Sequence, residues 1–275
     1  MTGTALITGG NGNLGRLVAN QLLARGQRVV SFDLPGTAPA VMADGQQTIE
    51  GDVRDVDALR AAIVAHRPDT IYHLASLLSG SSEVDLDVAW AINATASFQL
   101  LKLASELDVE KFFFASTSAS YGVVDAEPMP ADHEQWPESM YGATKVAVER
   151  LGVYFKAKHG LDFRCLRFPL VVSPFAPPTA VTAFPSHALK AAAAGESFTF
   201  PVSPGTGMST IFLADVVDSI VQFTASDAET LTKHAYSLHA YPLTAQMVVD
   251  AAVARFGSFN HSFEPDPTVE HLLSS

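Results

Sequence analysis

Cysteine is almost missing from this chain: Cys165 stands alone among 275 residues. One thiol cannot build a disulfide framework and fits a reducing compartment, so a cytoplasmic location is expected. Cys165 lies in an apolar run and reads as a buried strand residue, not a nucleophile. Positive charge is also short. Lys and Arg number 17 against 29 Asp and Glu, for a net charge of −12, with the acids scattered rather than blocked. That balance argues against nucleic acid and anionic membranes as partners. No apolar run reaches the ~18 residues that suggest a membrane span. The first residues lack a basic stretch followed by an apolar core and a cleavage site, so no secretory leader is expected. His, Cys and Asp never cluster at ligand spacing, which excludes an obvious metal site. No internal repeat is visible.

What is present is apolar and alternating. Apolar residues make up 48% of the chain, enough for one large α/β domain or a core domain carrying a small lobe. Short apolar runs at 4–7, 28–32, 48–49, 70–74, 111–115 and 162–168 read as strands. Helical periodicity fills 14–25, 56–65, 88–107 and 141–159 between them. Strands that look apolar on both faces and alternate with helices predict an α/β fold: a Rossmann-type, doubly wound parallel sheet. Regularity breaks after Pro169, where Pro174, Pro177, Pro178, Pro185, Pro201 and Pro204 crowd together. A helix at 186–194, a strand at 210–213, a helix at 214–225, and one strand with two short helices over 236–273 are expected beyond it. The division expected is 1–168 with 210–235 as the dinucleotide-binding domain, and 169–209 with 236–275 as a small C-terminal substrate lobe over the carboxyl ends of the strands.

Gly9-x-x-Gly12-x-x-Gly15 follows the first strand and opens the first helix. Such glycines allow a tight turn, close approach of a pyrophosphate and close helix–strand packing. The helix start, at Asn13 and Leu14, supplies free N–H groups and partial positive charge for phosphate. Asp33 ends the second strand, where an acid can hold the adenosine ribose hydroxyls, although a plain surface acid at a strand end is the other reading. No Lys or Arg stands beside it in Ser31–Pro35, so NAD is favoured over NADP. Asp52 and Val53 could hold the adenine edge. Asp55 reads as a helix N-cap.

Tyr141-Gly142-Ala143-Thr144-Lys145 carries the most chemical information. Four residues are about one helical turn, so the phenol and the ammonium share a face. A neighbouring ammonium is expected to lower the phenol from its usual value of about 10, making a base for an alcohol proton. About two dozen residues upstream, Ser116-Thr117-Ser118 leaves the fifth strand. By itself this is a loop satisfying its own backbone. Beside Tyr141 and Lys145 it offers a hydroxyl to a substrate oxygen.

Taken together, TGGNGNLG at 8–15, GDVRD at 51–55, YHLAS at 72–76, Asn93, FASTSASYG at 114–122, YGATK at 141–145 and FLADVV at 212–217 make the chain resemble an extended short-chain dehydrogenase/reductase of the NAD-dependent epimerase/dehydratase superfamily. The resemblance implies Thr117 as the catalytic hydroxyl, Tyr141 as acid/base, and Lys145 as the residue that holds the nicotinamide ribose and lowers the tyrosine. It further implies a cofactor wall of Leu74, Ala75, Ser76, Asn93, Phe168, Pro169 and Val171. Substrate contacts fall to Ser79, Gly80, Ser81, Ser118 and Thr182. The long helices imply a homodimer through a four-helix bundle. His73 reads as a strand-end packing residue.

Within that superfamily, ASLLSG at 75–80 and GLDFRCLRFP at 160–169 are most similar to short-chain-type L-threonine 3-dehydrogenases. D-Erythronate-type sugar-acid dehydrogenases are similar in the same segments and in EPDP at 264–267. Nucleotide-sugar epimerases place an arginine before the late strand to hold a diphosphate; Met208 occupies that position here. An unpaired diphosphate in a cleft is costly. The expectation is therefore oxidation of the secondary alcohol of a small hydroxy acid or amino acid. A sugar epimerase or dehydratase with tightly held NAD is the alternative, and a non-catalytic dinucleotide sensor the third reading. Two departures from the threonine enzymes stand out. Ala176-Pro177-Pro178-Thr179-Ala180-Val181-Thr182 replaces a glycine-rich turn, and the sequence stops at Ser275 ahead of a Trp-Pro segment. A differently closed or incomplete substrate pocket is expected.

Overall fold

A computed structural model describes residues 3–38, 43–124, 129–130, 133–178 and 180–274; Thr179 of the Pro-rich turn lies outside them. Seven parallel strands form the main sheet, in the order β10-β6-β5-β4-β1-β2-β3. They are β1 (Thr4–Thr8), β2 (Arg28–Asp33), β3 (Gln46–Glu50), β4 (Thr70–His73), β5 (Lys111–Thr117), β6 (Asp162–Phe168) and β10 (Tyr236–Ser237). The interior strands are apolar on both sides because helices cover both. Helices α2 (Val56–His66), α5 (Ala96–Glu106) and α6 (Met140–His159) bury one face around Leu59, Leu100, Phe112 and Phe163. The other face packs on α1 (Asn13–Ala24) and α8 (Leu213–Ala225) around Val18, Leu22, Phe113 and Ile220. Strand order reverses beside β1. Crevices outside the carboxyl ends of strands at such a point are where ligands bind in open α/β sheets.

Local signals explain the helix ends. Asp55 caps α2, its carboxylate accepting from Ala58 N at 3.0 Å, as its spacing predicts. Ser139 caps α6 and Gly160 ends it in the left-handed conformation. The helix expected over 88–107 begins earlier and is interrupted: α4 (Leu86–Trp90), a π turn (Ala91–Thr95) and α5 run on without a break. A separate one-turn helix, α3 (Ser79–Ser82), precedes them.

The Pro-rich stretch builds a second body of structure. Strands β7 (Leu170–Val172), β9 (Gly207–Phe212) and β11 (Tyr241–Thr244) form a three-stranded sheet, and β8 (Phe198–Phe200) pairs with β12 (His261–Phe263). With α7 (Phe184–Ala194), α9 (Ala245–Phe256) and α10 (Pro267–Ser274), they surround a core containing Phe184, Phe200 and Val248. Two boundaries differ from the sequence reading. The last segment holds three strands, not one, and the first of them, β10, is the edge of the main sheet. Conversely, β9 belongs to the small sheet and hands the chain back to α8. Two- to four-residue strands at sheet edges leave little periodicity to read.

Candidate active site

The carboxyl ends of β1, β2, β4, β5 and β6 bring the expected residues to one edge of the sheet. At β1, the turn Gly9–Gly12 leads into α1, with Gly12 as N-cap and no side chain capping it. A Cβ on Gly15 would strike Gly9 O and come within 2.7 Å of Gly10 Cα, so helix and turn touch backbone to backbone. Helix geometry leaves the N–H groups of Asn13, Leu14 and Gly15 without intrahelical acceptors. Asp33 reaches across from β2: its carboxylate accepts from Asn11 N and Leu34 N, both at 2.8 Å. The acid is thereby fixed beside the glycine turn. An unfilled helix start next to an anchored carboxylate fits a pyrophosphate and a ribose diol.

Asp52 and Val53 follow β3, but neither presents a free side chain. Arg54 grips the Asp52 carboxylate, with Nη2 to Oδ2 at 2.6 Å, and this hydrogen bond holds the acid below its ordinary value. Val53 is buried in the main core.

Leu74, Ala75 and Ser76 continue from β4 past the glycine turn; Leu74 N donates to Thr8 O at 3.1 Å. Asn93, expected on the cofactor wall, lies behind this loop. At 2% exposure it clamps the β4–α3 loop. Its Oδ1 accepts from Leu77 N at 2.8 Å and Ser76 Oγ at 3.1 Å, while Nδ2 donates to Leu77 O at 3.1 Å and Ser82 Oγ at 3.4 Å. All four of its hydrogen-bonding positions are taken within the protein. Ser79, Gly80 and Ser81 ride on the short helix this clamp positions. Glu83 then ties that helix to the start of α6, its Oε1 accepting from Met140 N at 2.8 Å.

Thr117 ends β5 in register with Phe168 of β6, ahead of Pro169 and of Val171 in β7. Ser118 starts a single 3-10 turn, Ser118–Ser120, and Thr117 Oγ1 accepts from Ala119 N at 3.2 Å. Helix α6 presses its first turn onto this turn. A Cβ on Gly142 would collide with Ala119 O and lie 2.7 Å from Pro137 Cβ. Glycine at 142 lets the first turn of α6, which carries Tyr141, pack against the turn that follows Thr117. Thr182 lies on the 3-10 turn Val181–Ala183 ahead of α7.

Lys145 lies one turn along α6, at 3% exposure. Its Nζ is 5.3 Å from the Tyr141 ring centroid and 4.8 Å from that of Phe114, and donates to Ala115 O at 2.9 Å. The expected lowering of the tyrosine is not found. Burial pushes the Tyr141 phenol up to about 12, against the opposing hydrogen bond with Thr117. The same burial pulls Lys145 down to about 8, with Cys165 and Glu149 opposing. The spacing argument took the ammonium as the dominant neighbour. In the fold, desolvation of the phenol outweighs it, and the ammonium is turned to a carbonyl.

Two buried polar systems have no counterpart in the sequence reading of the site. In the first, His73 is held at Nδ1 by Thr8 Oγ1 at 2.6 Å and at Nε2 by Ser97 Oγ at 2.7 Å, and Ser97 donates on to Asn93 O at 2.6 Å. Because Ser97 spends its proton on Asn93, Nε2 carries the imidazole proton. Burial, then the Lys145 charge, lowers His73 to about 3, so it is neutral and structural, as its strand-end position suggests. The second system joins Ser116, Tyr121, Gln135, Glu149, Arg167 and Ser237 behind Thr117, Tyr141 and Lys145. A signal for it existed: Glu149 is four residues beyond Lys145, on the same helical face. Among the described residues no group of three His, Cys, Asp or Glu could hold a metal ion. No described helix is long and apolar enough to cross a membrane.

The family model described as NAD dependent epimerase/dehydratase family matches residues 5–238. The mitochondrial L-threonine 3-dehydrogenase of Sus scrofa is 28% identical, over 98% of this chain and 73% of that protein. Among solved structures, the L-threonine dehydrogenase from Clostridium difficile superposes with a TM-score of 0.91 at 28% identity, covering 100% of this chain and 87% of that one. The UDP-glucose 4-epimerase of Thermus thermophilus, in complex with NAD, gives a TM-score of 0.80 at 26% identity, over 96% of this chain and 86% of the other.

Proposed function

The chain belongs to the NAD dependent epimerase/dehydratase family and is an NAD-dependent enzyme acting on a CH–OH group; on that premise we propose that it oxidises the secondary alcohol of a small hydroxy acid or amino acid of the L-threonine type. The observation that carries the proposal is the convergence of Thr117, Tyr141 and Lys145 at the carboxyl end of β5, beside the glycine turn and Asp33. Bound NAD supplies the hydride acceptor and a cationic ring that favours phenolate over phenol. Tyr141 Oη takes the alcohol proton. The Thr117 hydroxyl donates to the same oxygen as it becomes a carbonyl. Lys145, poised near neutrality, adds positive charge to this enclosed space. The loop of Ser79, Gly80 and Ser81, held by Asn93, and the lobe carrying Thr182 form the substrate walls. Asp33, with no basic neighbour in 31–35, favours NAD over NADP.

Met208 supports a small substrate over a nucleotide sugar. It is buried in the lobe core with Leu243 and Val248, and the segment 206–210 offers no guanidinium to a diphosphate. A panel of 2- and 3-hydroxy acids including L-threonine, run with NAD and NADP in parallel and followed by NADH absorbance, tests the reading. Steady NADH formation from one of them supports it. The likeness to the UDP-glucose 4-epimerase favours a second reading, an epimerase; substrate turnover with no free NADH would select it.

Exposed Trp90, Phe98 and Tyr154 on the neighbouring helices α4, α5 and α6 favour a homodimer through that face. Sedimentation as a pure monomer at micromolar concentration would exclude it. The single buried cysteine is consistent with a cytoplasmic protein.

A further inference from the structure

Behind the trio lies a buried ion pair that the proposed chemistry does not use. Glu149 is 2% exposed and accepts a fork from Arg167, Nε to Oε1 at 3.0 Å and Nη2 to Oε2 at 2.6 Å. Its carboxylate also accepts from Ser116 Oγ at 2.5 Å and Gln135 Nε2 at 3.1 Å. The free arm of Arg167, Nη1, donates to the Tyr121 phenol at 2.6 Å, which shares a hydrogen bond with Ser237 Oγ at 2.6 Å. The pair therefore binds β5, α6, β6 and β10 together at one depth in the sheet.

Its neighbours in sequence give it meaning. Ser116 immediately precedes Thr117. Glu149 is one turn beyond Lys145. Arg167 immediately precedes Phe168. Each anchor is one residue or one turn from a group assigned to substrate or cofactor. A buried ion pair is poor evidence for stability, because neutral side chains of similar volume often serve as well. A forked, fully hydrogen-bonded pair does fix geometry in a way that neutral packing does not.

We propose that Glu149 and Arg167 are positioning residues, holding the end of β5, helix α6 and the β6–β7 turn in one register so that Thr117, Lys145 and Phe168 face a common space. The proposal rests on the dehydrogenase reading of that space. Neither residue is catalytic.

The test separates positioning from mere folding. Glu149→Gln and Arg167→Met each leave a buried charge unpaired and should lower the Tm. The double variant removes both charges, and its Tm should return close to that of the wild type. With positioning, the double variant still shows a loss in kcat of about 10- to 100-fold with substrate KM nearly unchanged, together with weaker NADH binding by fluorescence titration. If kcat and NADH affinity recover along with Tm, the pair is structural only and the proposal is wrong. Ser116→Ala removes one hydroxyl and no charge, so it decides the matter if the double variant does not fold. It should lower Tm by only a few degrees and, assayed well below that Tm, lower kcat about tenfold or less; unchanged kcat and NADH affinity would overturn the proposal. If the wild-type enzyme oxidises nothing in the hydroxy-acid panel, the dehydrogenase reading fails by itself. The NADH affinities of these variants then decide the pair alone.

Discussion

Lys145 points its ammonium at Ala115 O, 2.9 Å away, while keeping it 5.3 Å from the centre of the Tyr141 ring. The two residues share a helical face without being hydrogen-bonded to each other. Burial leaves the phenol at about 12, so the proposed mechanism makes the base only when added positive charge reaches the site. Tyr141→Phe should therefore lower kcat by about 10²- to 10⁴-fold, the range for loss of a general acid/base. NADH affinity, read by fluorescence, should be nearly unchanged. An active phenylalanine variant would remove Tyr141 from the mechanism.

Asp33 makes the cofactor preference testable. Its carboxylate holds Asn11 N and Leu34 N, and stands where a 2′-phosphate would meet like charge. Asp33→Ser keeps a hydrogen-bonding oxygen and removes the charge. NAD affinity should fall about tenfold, some 1.4 kcal/mol, and the NAD-over-NADP ratio should narrow at least as much. A variant with unchanged preference would place discrimination elsewhere.

How much of this was legible in the sequence follows from the range of each interaction. The glycine turn, the Asp55 cap and the strand–helix alternation are local, and the main sheet follows them closely. The Tyr141–Lys145 spacing gave the right face but the wrong direction for the phenol, since spacing says nothing about desolvation. The bonds of Asn93 run to Ser76, Leu77 and Ser82, 11 to 17 residues away, from a π turn that periodicity does not announce. The Arg167–Tyr121–Ser237 contacts span 46 and 116 residues. Nothing local encodes them. The same holds for Met208, whose burial in the lobe core depends on β9 pairing with β11.

Met208→Arg tests that placement. If Met208 merely occupied a cleft position, arginine there would furnish a diphosphate site. Buried as it is, an arginine would carry an unpaired charge into the apolar core of the lobe. The expected outcome is a loss of stability of roughly 3 kcal/mol or more by denaturant unfolding, with no gain in UDP-sugar binding. A stable variant that binds a UDP-sugar would show that the side chain reaches the cleft.

Gly142→Ala probes the close packing of the first turn of α6, which carries Tyr141, on the turn after Thr117. The added methyl meets Ala119 O and the Pro137 ring, one of them main chain. Helix propensity alone would make alanine stabilising by up to about 1 kcal/mol. Collision should outweigh it, lowering the Tm and reducing kcat more than 10-fold, since about 1 Å of misplacement suffices for 10²-fold. A more stable and fully active alanine variant would contradict the close approach.

His73 supplies a pH signature. Fully buried between Thr8 and Ser97, it is held down to about 3, below its ordinary 6.5. Between those values the unfolded chain binds a proton that the folded chain refuses. Stability therefore rises with pH across that window and is lost as the solution is acidified from about 6.5 towards 3. For a group this buried, the whole shift corresponds to roughly 5 kcal/mol at most. Urea unfolding at stepped pH should show this loss in the wild type. His73→Asn, less stable at neutral pH for want of one hydrogen-bonding end, should lose correspondingly less on acidification. Parallel acid profiles for the two proteins would mean that His73 is not the residue refusing the proton.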